Sequence, residues 1–394
     1  MADHPVNPDI RLLDGRFYAE DPHPHFTWMR ANAPVYHDAA GAVWGIATHA
    51  DIQRISRDPT TFSNASGMRP DSPPLPSMIN MDDPEHKRRR NLVNKGFTPR
   101  RVADHEQKIR EICADLLSRA QRKDRFDFVR EVAAPLPMIM IGDMLGVAPE
   151  DRDDLLRWSD DMVSGTSLSA PPATVERAIQ AFAEYSTYNR RVVAERHAQA
   201  RDDLISTLVH ATIEGDRLDD EELLHETLLI LVGGDETTRH VITGGMLQLL
   251  RHPAQMALLA AHPERIACAV EEMLRWVSPI QNMARTATRD VELRGQTIRA
   301  GDKLLLLYPS ANRDEQIFAE PFAFDVERRP NDHLAFGGFG AHFCLGASLA
   351  RLELRVMFEE IVRRIPLARL VDEGPLPWRN SNFITGIEEM QVEV

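Results

Sequence analysis

Cysteine is scarce in this chain: three among 394 residues, at positions 113, 268 and 344. An odd, sparse set excludes a disulfide framework and fits a reducing compartment. No Cys/His pairing has the spacing of a zinc site. Long apolar runs are missing too. The longest, Leu228–Val232 and Leu304–Leu307, are far too short to span a bilayer. The polar start, Met-Ala-Asp-His-Pro-Val-Asn-Pro, lacks the apolar segment of a secretion signal. No Ser/Gly-rich linker, low-complexity tract or internal repeat divides the sequence, so 1–394 reads as a single domain. Basic residues are outnumbered, 46 Lys and Arg against 60 Asp and Glu, a net charge of −14. That balance argues against nucleic acid as a partner. Together these absences predict a soluble, cytoplasmic protein that does not span a membrane.

What is present is a 43% hydrophobic chain with mostly helical patterning. Two segments, Val35–Thr48 and Val291–Leu307, read as β-hairpins, the second turning at Arg299-Ala-Gly-Asp302. They predict a small sheet and a β-rich subregion at about 30–60 and 285–310. Between them runs a helical stretch, about 84–277, punctuated by prolines at 135–137, 148–149 and 171–172. Asp219–Leu250 reads as one long helix. Residues 151–205 read as a pair of lid helices that move on ligand binding. The fold class is mainly α with a minor β subdomain.

One segment carries chemistry by itself: His333-Leu-Ala-Phe-Gly-Gly-Phe-Gly-Ala-His-Phe-Cys344-Leu-Gly346. Glycines at 337, 338 and 340 let the backbone take positive φ and approach a bulky planar ligand. The residues after Gly346 read as a helix to about 363, so Cys344 sits at a helix N-terminus that favours a thiolate. A thiolate so held is one of the few protein ligands for haem iron. The plainer reading is a Gly-rich turn with a buried cysteine, as we read Cys113 and Cys268.

Other groupings are weaker alone. Gly233-Gly-Asp-Glu-Thr-Thr238 puts two glycines inside the long helix, at about 1 kcal/mol each relative to alanine. They predict a kink or widened turn, with Glu236 and Thr237 as a proton relay. A close helix crossing with a back-bonded threonine explains them equally. Glu272 and Arg275 share a helix face. His86 and Arg90 lie one turn apart within Lys87-Arg88-Arg89-Arg90, part of a basic cluster that includes Lys95. The cluster reads as a solvated helix or as a docking patch of Arg88, Arg89 and Lys95.

The Cys344 segment resembles the haem-ligand loop of the cytochrome P450 superfamily, and the other groupings match its signatures in order. The resemblance extends over nearly the whole chain through Met81–His86, Asp127–Pro137, Ile141–Val147 and Ser381–Met390. It is most similar to actinobacterial enzymes that hydroxylate the terminal side-chain methyl of cholesterol and cholest-4-en-3-one. The resemblance implies haem b between the long helix and the Cys344 helix, with Cys344 on the iron. It implies an oxygen groove at Gly233 and Gly234, with Glu236 gating protons and Thr237 holding the hydrogen-bond network over the haem. It assigns His86, Arg90, Arg285 and His333 to the haem carboxylates. Phe336, Gly338, Phe339, Gly340, His342 and Gly346 complete the cradle. Relatives carry a phenylalanine where this chain has Gly337, which leaves open whether Phe336 or Phe339 shields the sulfur. Glu272, Arg275 and Arg328 are implied to be structural. The substrate pocket is expected to be apolar: Met68, Leu75, Met78, Ile79, Val232, Val277, Ile280, Met283, Phe383 and Ile384. The implied reaction uses O2 and electrons from NAD(P)H through a ferredoxin reductase and a ferredoxin, because the chain has no flavin or Fe–S signature. Rivals are the same chemistry on a branched lipid, fatty acid or terpenoid, a peroxygenase, and a non-catalytic haem or lipid-binding sensor.

Overall fold

The computed structural model describes residues 5–165 and 170–394; part of the lid segment read from the sequence, 166–169, and the first four residues lie outside them. The chain opens with helices α1 (Gly15–Ala19) and α2 (His23–Asn32), then the hairpin β1 (Val35–Asp38) and β2 (Val43–Ile46). Helix α3 (His49–Ser56) and the short strand β3 (Phe62–Ser63) follow. Next come α4 (Glu85–Val93), α5 (Pro99–Asp104), α6 (Glu106–Ala120), β4 (Arg125–Asp127) and α7 (Pro135–Leu145). Two helices, α8 (Arg152–Ser164) and α9 (Pro172–Ala198), pack together and precede α10 (Leu204–Val209). The long helix is α11 (Asp220–Arg251), followed by α12 (Pro253–Ala261) and α13 (Ile266–Val277). Strands β5 (Asn282–Ala287), β6 (Val291–Leu293), β7 (Gln296–Ile298) and β8 (Lys303–Leu307) lead to α14 (Tyr308–Ala311). After a long irregular segment, α15 (Ala347–Arg364), β9 (Arg369–Leu370) and β10 (Gln391–Glu393) close the chain.

Local chemistry explains why α11 starts where it does. Asp219 accepts the Glu222 N–H at 2.8 Å, and Glu222 accepts the Asp219 N–H at 3.1 Å. This capping box satisfies free donors, and the acids at 220–222 oppose the helix dipole. The helix runs unbroken through Gly233-Gly234, with no interruption where the sequence predicts a widened turn. A Cβ on Gly234 would stand 2.4 Å from Ile141 Cδ1, so that glycine permits the close crossing of α7 over α11. On Gly233 it would meet nothing within 4 Å. The two glycines therefore have different reasons: one for packing, one for an open face.

The main sheet has the order β1-β2-β8-β5-β3. The first hairpin forms as expected. The second does not span 291–307. Instead β6 pairs with β7 across Arg294 and Gly295, both at positive φ, and β8 leaves to lie parallel to β2 and antiparallel to β5. A two-residue turn with both φ positive matches strand twist, which decides the hairpin in favour of the nearer partner. The Arg299–Asp302 turn only redirects the chain. Because β8 is central, all of Leu304–Leu307 are fully buried, which accounts for that apolar run. A second small sheet, β4-β10-β9, was not legible in the sequence.

Candidate active site

Helix α11 and the start of α15 face each other across a chamber of about 1670 Å³, counted out to its open mouth. Gly233, Gly234, Thr237, Thr238 and Val241 line it from α11. Phe336, Gly337, His342, Phe343, Cys344 and Gly346 line it from the opposite side.

Cys344 is exposed, and its exposure is to the chamber. Its N–H donates to the Phe336 carbonyl at 3.0 Å, which closes the loop. Burial pushes the thiol up; the Gly346 N–H, Arg90, Arg351 and the Ala347 N–H pull the other way without prevailing. The helix start alone therefore does not hold the thiolate expected from the sequence, and a cation in front of the sulfur would.

The loop glycines divide as α11's do. Gly337 has φ +99 and lines the chamber. Gly338 and Gly340 do not line it: Cβ atoms there would lie 2.3 Å from Ser56 Oγ and 1.7 Å from the Ser56 carbonyl oxygen. They let the loop seat on the end of α3, not approach a ligand. Phe339 also faces away. It is 47% exposed and stacks on Phe343, whereas Phe336 lies on the chamber wall beneath the Arg351 guanidinium at 4.6 Å. Of the two, only Phe336 shares the chamber wall with Cys344.

Hydrogen-bond donors, two of them guanidiniums, gather at one end. His86, Arg90, Arg285 and His342 line the chamber, with the two imidazole rings 4.0 Å apart. His86 Nε2 is buried without a partner among the described residues. Arg90 and Arg285 are drawn down chiefly by burial, and neither makes an ion pair among the described residues. Burial, with His86, Arg285 and Arg90 adding to it, lowers His342 to about 2. Buried guanidiniums without carboxylates cost free energy. A planar group with an iron over Cys344 and two carboxylates at this end fits those donors. His333 is placed elsewhere: its Nε2 lies 3.0 Å from Glu271 Oε2, and Glu271 also binds Arg351. That carboxylate holds the ring away from the chamber.

Glu236 and Thr237 lie on different sides of α11. Thr237 lines the chamber and its Oγ1 donates to the Gly233 carbonyl at 2.9 Å. Glu236 is fully buried and does not line the chamber. Its Oε2 is 3.0 Å from Arg239 and also meets Arg379, while Asp160 of α8 lies 3.0 Å from Arg239. Burial pushes Glu236 up to about 7 against the pull of Arg379 and Arg239. Glu236 therefore faces Arg239 and Arg379, on the side where Asp160 of α8 also meets Arg239, and not the chamber.

Eight of the expected pocket residues, Met68, Met78, Ile79, Val232, Ile280, Met283, Phe383 and Ile384, form an apolar arm. Leu75 is 48% exposed on its loop. Val277 turns to α11, where Gly244 leaves room for it: a Cβ there would stand 2.6 Å from Val277 Cγ2. Asn64, Tyr308 and Glu353 also line the chamber and were not found in the sequence. Glu353 had a signal, an acid four residues after Leu349 on an apolar helix face. Burial pushes it up to about 8.

The basic cluster is largely spent inside the protein. Arg89 is buried against Glu222 and Glu226, and Arg88 pairs with Asp216 and Glu222. Lys95 donates to the Thr212 carbonyl. The expected patch of Arg88, Arg89 and Lys95 is therefore not free, because acids distant in sequence neutralise both arginines.

Glu272 lies between Arg275 and Arg328. Two bonds of 2.7 Å join it to Arg275, and Arg328 Nε lies 3.1 Å and 3.2 Å from its oxygens. The guanidiniums reach on to the carbonyls of Asn312, Pro321, Ala319 and Ala323, fastening the irregular segment before the Cys344 loop to α13.

Comparisons with known proteins agree with this geometry. A family model described as cytochrome P450 matches residues 61–261 and 266–394. A steroid C26-monooxygenase of Mycobacterium tuberculosis is 51% identical over 387 residues, covering 98% of this chain and 97% of its own. A methyl-branched lipid omega-hydroxylase of Mycobacterium bovis is 40% identical over 365 residues, covering 90% and 84%. The solved structure of a Mycobacterium marinum cytochrome P450 with pseudoionone matches with a TM-score of 0.90, at 32% identity across 100% of both chains. No described helix is long and apolar enough to cross a membrane. The chain belongs to the cytochrome P450 family of monooxygenases.

Proposed function

We propose that this P450 hydroxylates the terminal methyl of a sterol side chain, as in cholesterol or cholest-4-en-3-one. The observation that carries this reading is the 51% identity to a steroid C26-monooxygenase over 98% of the chain. The apolar arm supports it, since its eight apolar side chains line the same chamber as Thr237 and Cys344 and suit an aliphatic tail. Bound haem supplies O2 activation and attack on an unactivated C–H bond. The chain's own tasks are positional and protic. Cys344 holds the iron. Arg90, Arg285, His86 and His342 hold the carboxylate end. Thr237 offers a hydroxyl at the reacting face, and Glu236 supplies its protons from the Asp160 side. The apolar arm excludes water.

With cholest-4-en-3-one, 18O2 and a ferredoxin system, we expect product carrying one 18O at the terminal methyl. Thr237→Ala and Glu236→Gln should lower product per electron by about 10²-fold, the range for a general acid–base group, and divert reduced oxygen to peroxide. Product formation undiminished in both variants would remove the relay. The 40% relation to a methyl-branched lipid hydroxylase favours a second reading, oxidation of a branched acyl tail, which the same assay distinguishes by substrate.

Electrons are proposed to come from a ferredoxin docking nearest the sulfur. The Cys344 loop rests on α3, Arg90 of α4 donates to the Phe343 carbonyl at 2.6 Å, and α5 packs on α15. Around this face Arg54, Arg57, Lys87, Arg100 and Arg101 are exposed and make no ion pair among the described residues. Neutralising Arg57, Lys87, Arg100 and Arg101 together should slow reduction by an acidic ferredoxin at least ~10-fold at low salt. Salt should slow the unaltered protein similarly, and Arg88→Gln should have no effect. Equal rates in all variants would place docking elsewhere.

A further inference from the structure

Glu226 is fully buried on α11, and its two oxygens are used unequally. Oε1 accepts the Met78 N–H at 2.8 Å and lies 3.3 Å from Arg89 Nη1. Oε2 is buried with no hydrogen-bond partner among the described residues. Arg89, on α4, donates from Nη1 to the Pro76 carbonyl at 2.7 Å and pairs with Glu222 at 3.1 Å. These contacts tie the segment Ser72–Asn80 to two helices at once. Other bonds of that segment are local: Asn80 Nδ2 to the Leu75 carbonyl, the Met68 N–H to Asn80 Oδ1, and Asn64 Nδ2 to the Ile79 carbonyl. They shape the loop without joining it to α11. Met78 and Ile79, which the loop carries, are walls of the apolar arm.

We propose that Arg89 and Glu226 are positioning residues that clamp Met78 and Ile79 against α11, and so set how tightly the apolar arm grips its substrate. The clamp depends on charge. Burial pushes Glu226 up to about 7, and the Met78 N–H and Arg89 resist while Glu222 adds to the push. The facing groups are Arg89 and, through it, Glu85 on α4, with Glu222 and the neighbouring His225 on α11. The segment 72–80 contributes no titratable side chain.

The choice of ligand rests on the sterol reading; the clamp does not. The test compares holoenzyme with Glu226→Gln and Arg89→Met. Glutamine retains an acceptor for the Met78 N–H but not the charge. Amide hydrogen exchange across 72–82 should be at least ~10-fold faster in both variants, the scale of a lost charged hydrogen bond. The Kd for cholest-4-en-3-one should rise ~10-fold at about pH 8. Imidazole, which reads the haem end alone, should bind unchanged. Unchanged exchange, or faster exchange with unchanged sterol affinity, overturns the proposal. If the unaltered protein binds no sterol, the sterol reading fails. The exchange rates still decide the clamp: faster in both variants supports it, unchanged rejects it.

Discussion

Cys344→Ser yields a folded protein whose reduced carbon monoxide complex lacks a thiolate-type spectrum, and whose turnover falls by at least about 10³-fold. That fall is on the scale seen when an indispensable catalytic group is removed. The fold should survive because the loop is closed by main-chain bonds that serine keeps, including the 3.0 Å bond from the residue 344 N–H to the Phe336 carbonyl. The Cys344 side chain points into space, not into the core, so its replacement leaves no packing defect. What changes is ligand chemistry. Serine's hydroxyl does not ionise near neutral pH and gives iron none of the electron density a thiolate gives. Cys113 is the contrasting case. It lies fully buried in α6, and burial pushes its thiol far up. Cys113→Ser should cost stability while the thiolate spectrum remains. A thiolate spectrum retained in Cys344→Ser would refute the assignment.

Glu272→Ala is the second large effect. Glu272 is fully buried with Arg275 fully buried beside it and Arg328 nearly so. Alanine leaves two buried guanidiniums facing each other without a carboxylate. Removing one partner of such a group costs about 3–5 kcal/mol. Against a total stability of about 5–15 kcal/mol, that brings the protein near unfolding at ambient temperature. The loss should concentrate at 312–333, which Arg275 and Arg328 hold through carbonyls, and the Cys344 loop follows directly. Haem retention should fall with stability. Glu272→Gln should be milder, since its amide oxygen still accepts hydrogen bonds. Denaturant unfolding measures both, and a cost under about 1 kcal/mol for alanine would show that the carbonyl contacts suffice without the acid.

What the sequence disclosed and what it withheld divide along the range of the interaction. The start of α11 was legible because Asp219 and Glu222, three residues apart, cap each other. The Cys344 loop was legible because its glycines, histidine and cysteine lie within a dozen residues. The glycines' reasons were not: only packing reveals that Gly338 and Gly340 make room for Ser56, and Gly234 for Ile141. The basic run at 87–90 was plain, but the acids that absorb Arg88 and Arg89 stand at 216, 222 and 226, more than 120 residues away. His333 was likewise diverted by Glu271, 62 residues earlier. The two segments do share a sheet, as expected, through β2 and β8, but the extent of the second hairpin was misread for the same reason. Patterning marks β8 as apolar, yet nothing local says that β2 and β5 are its partners, with the hairpin closing before it.

The central claim is a haem-thiolate chamber that takes a sterol tail toward its iron. Titration of the ferric holoenzyme with cholest-4-en-3-one, followed in the Soret band, tests it most directly. A saturable low-spin to high-spin shift at micromolar ligand is predicted, because a tail in the apolar arm displaces water near Cys344. A thiolate-type spectrum that does not move with any sterol would contradict the substrate, and a holoprotein with no thiolate-type spectrum would contradict the site itself.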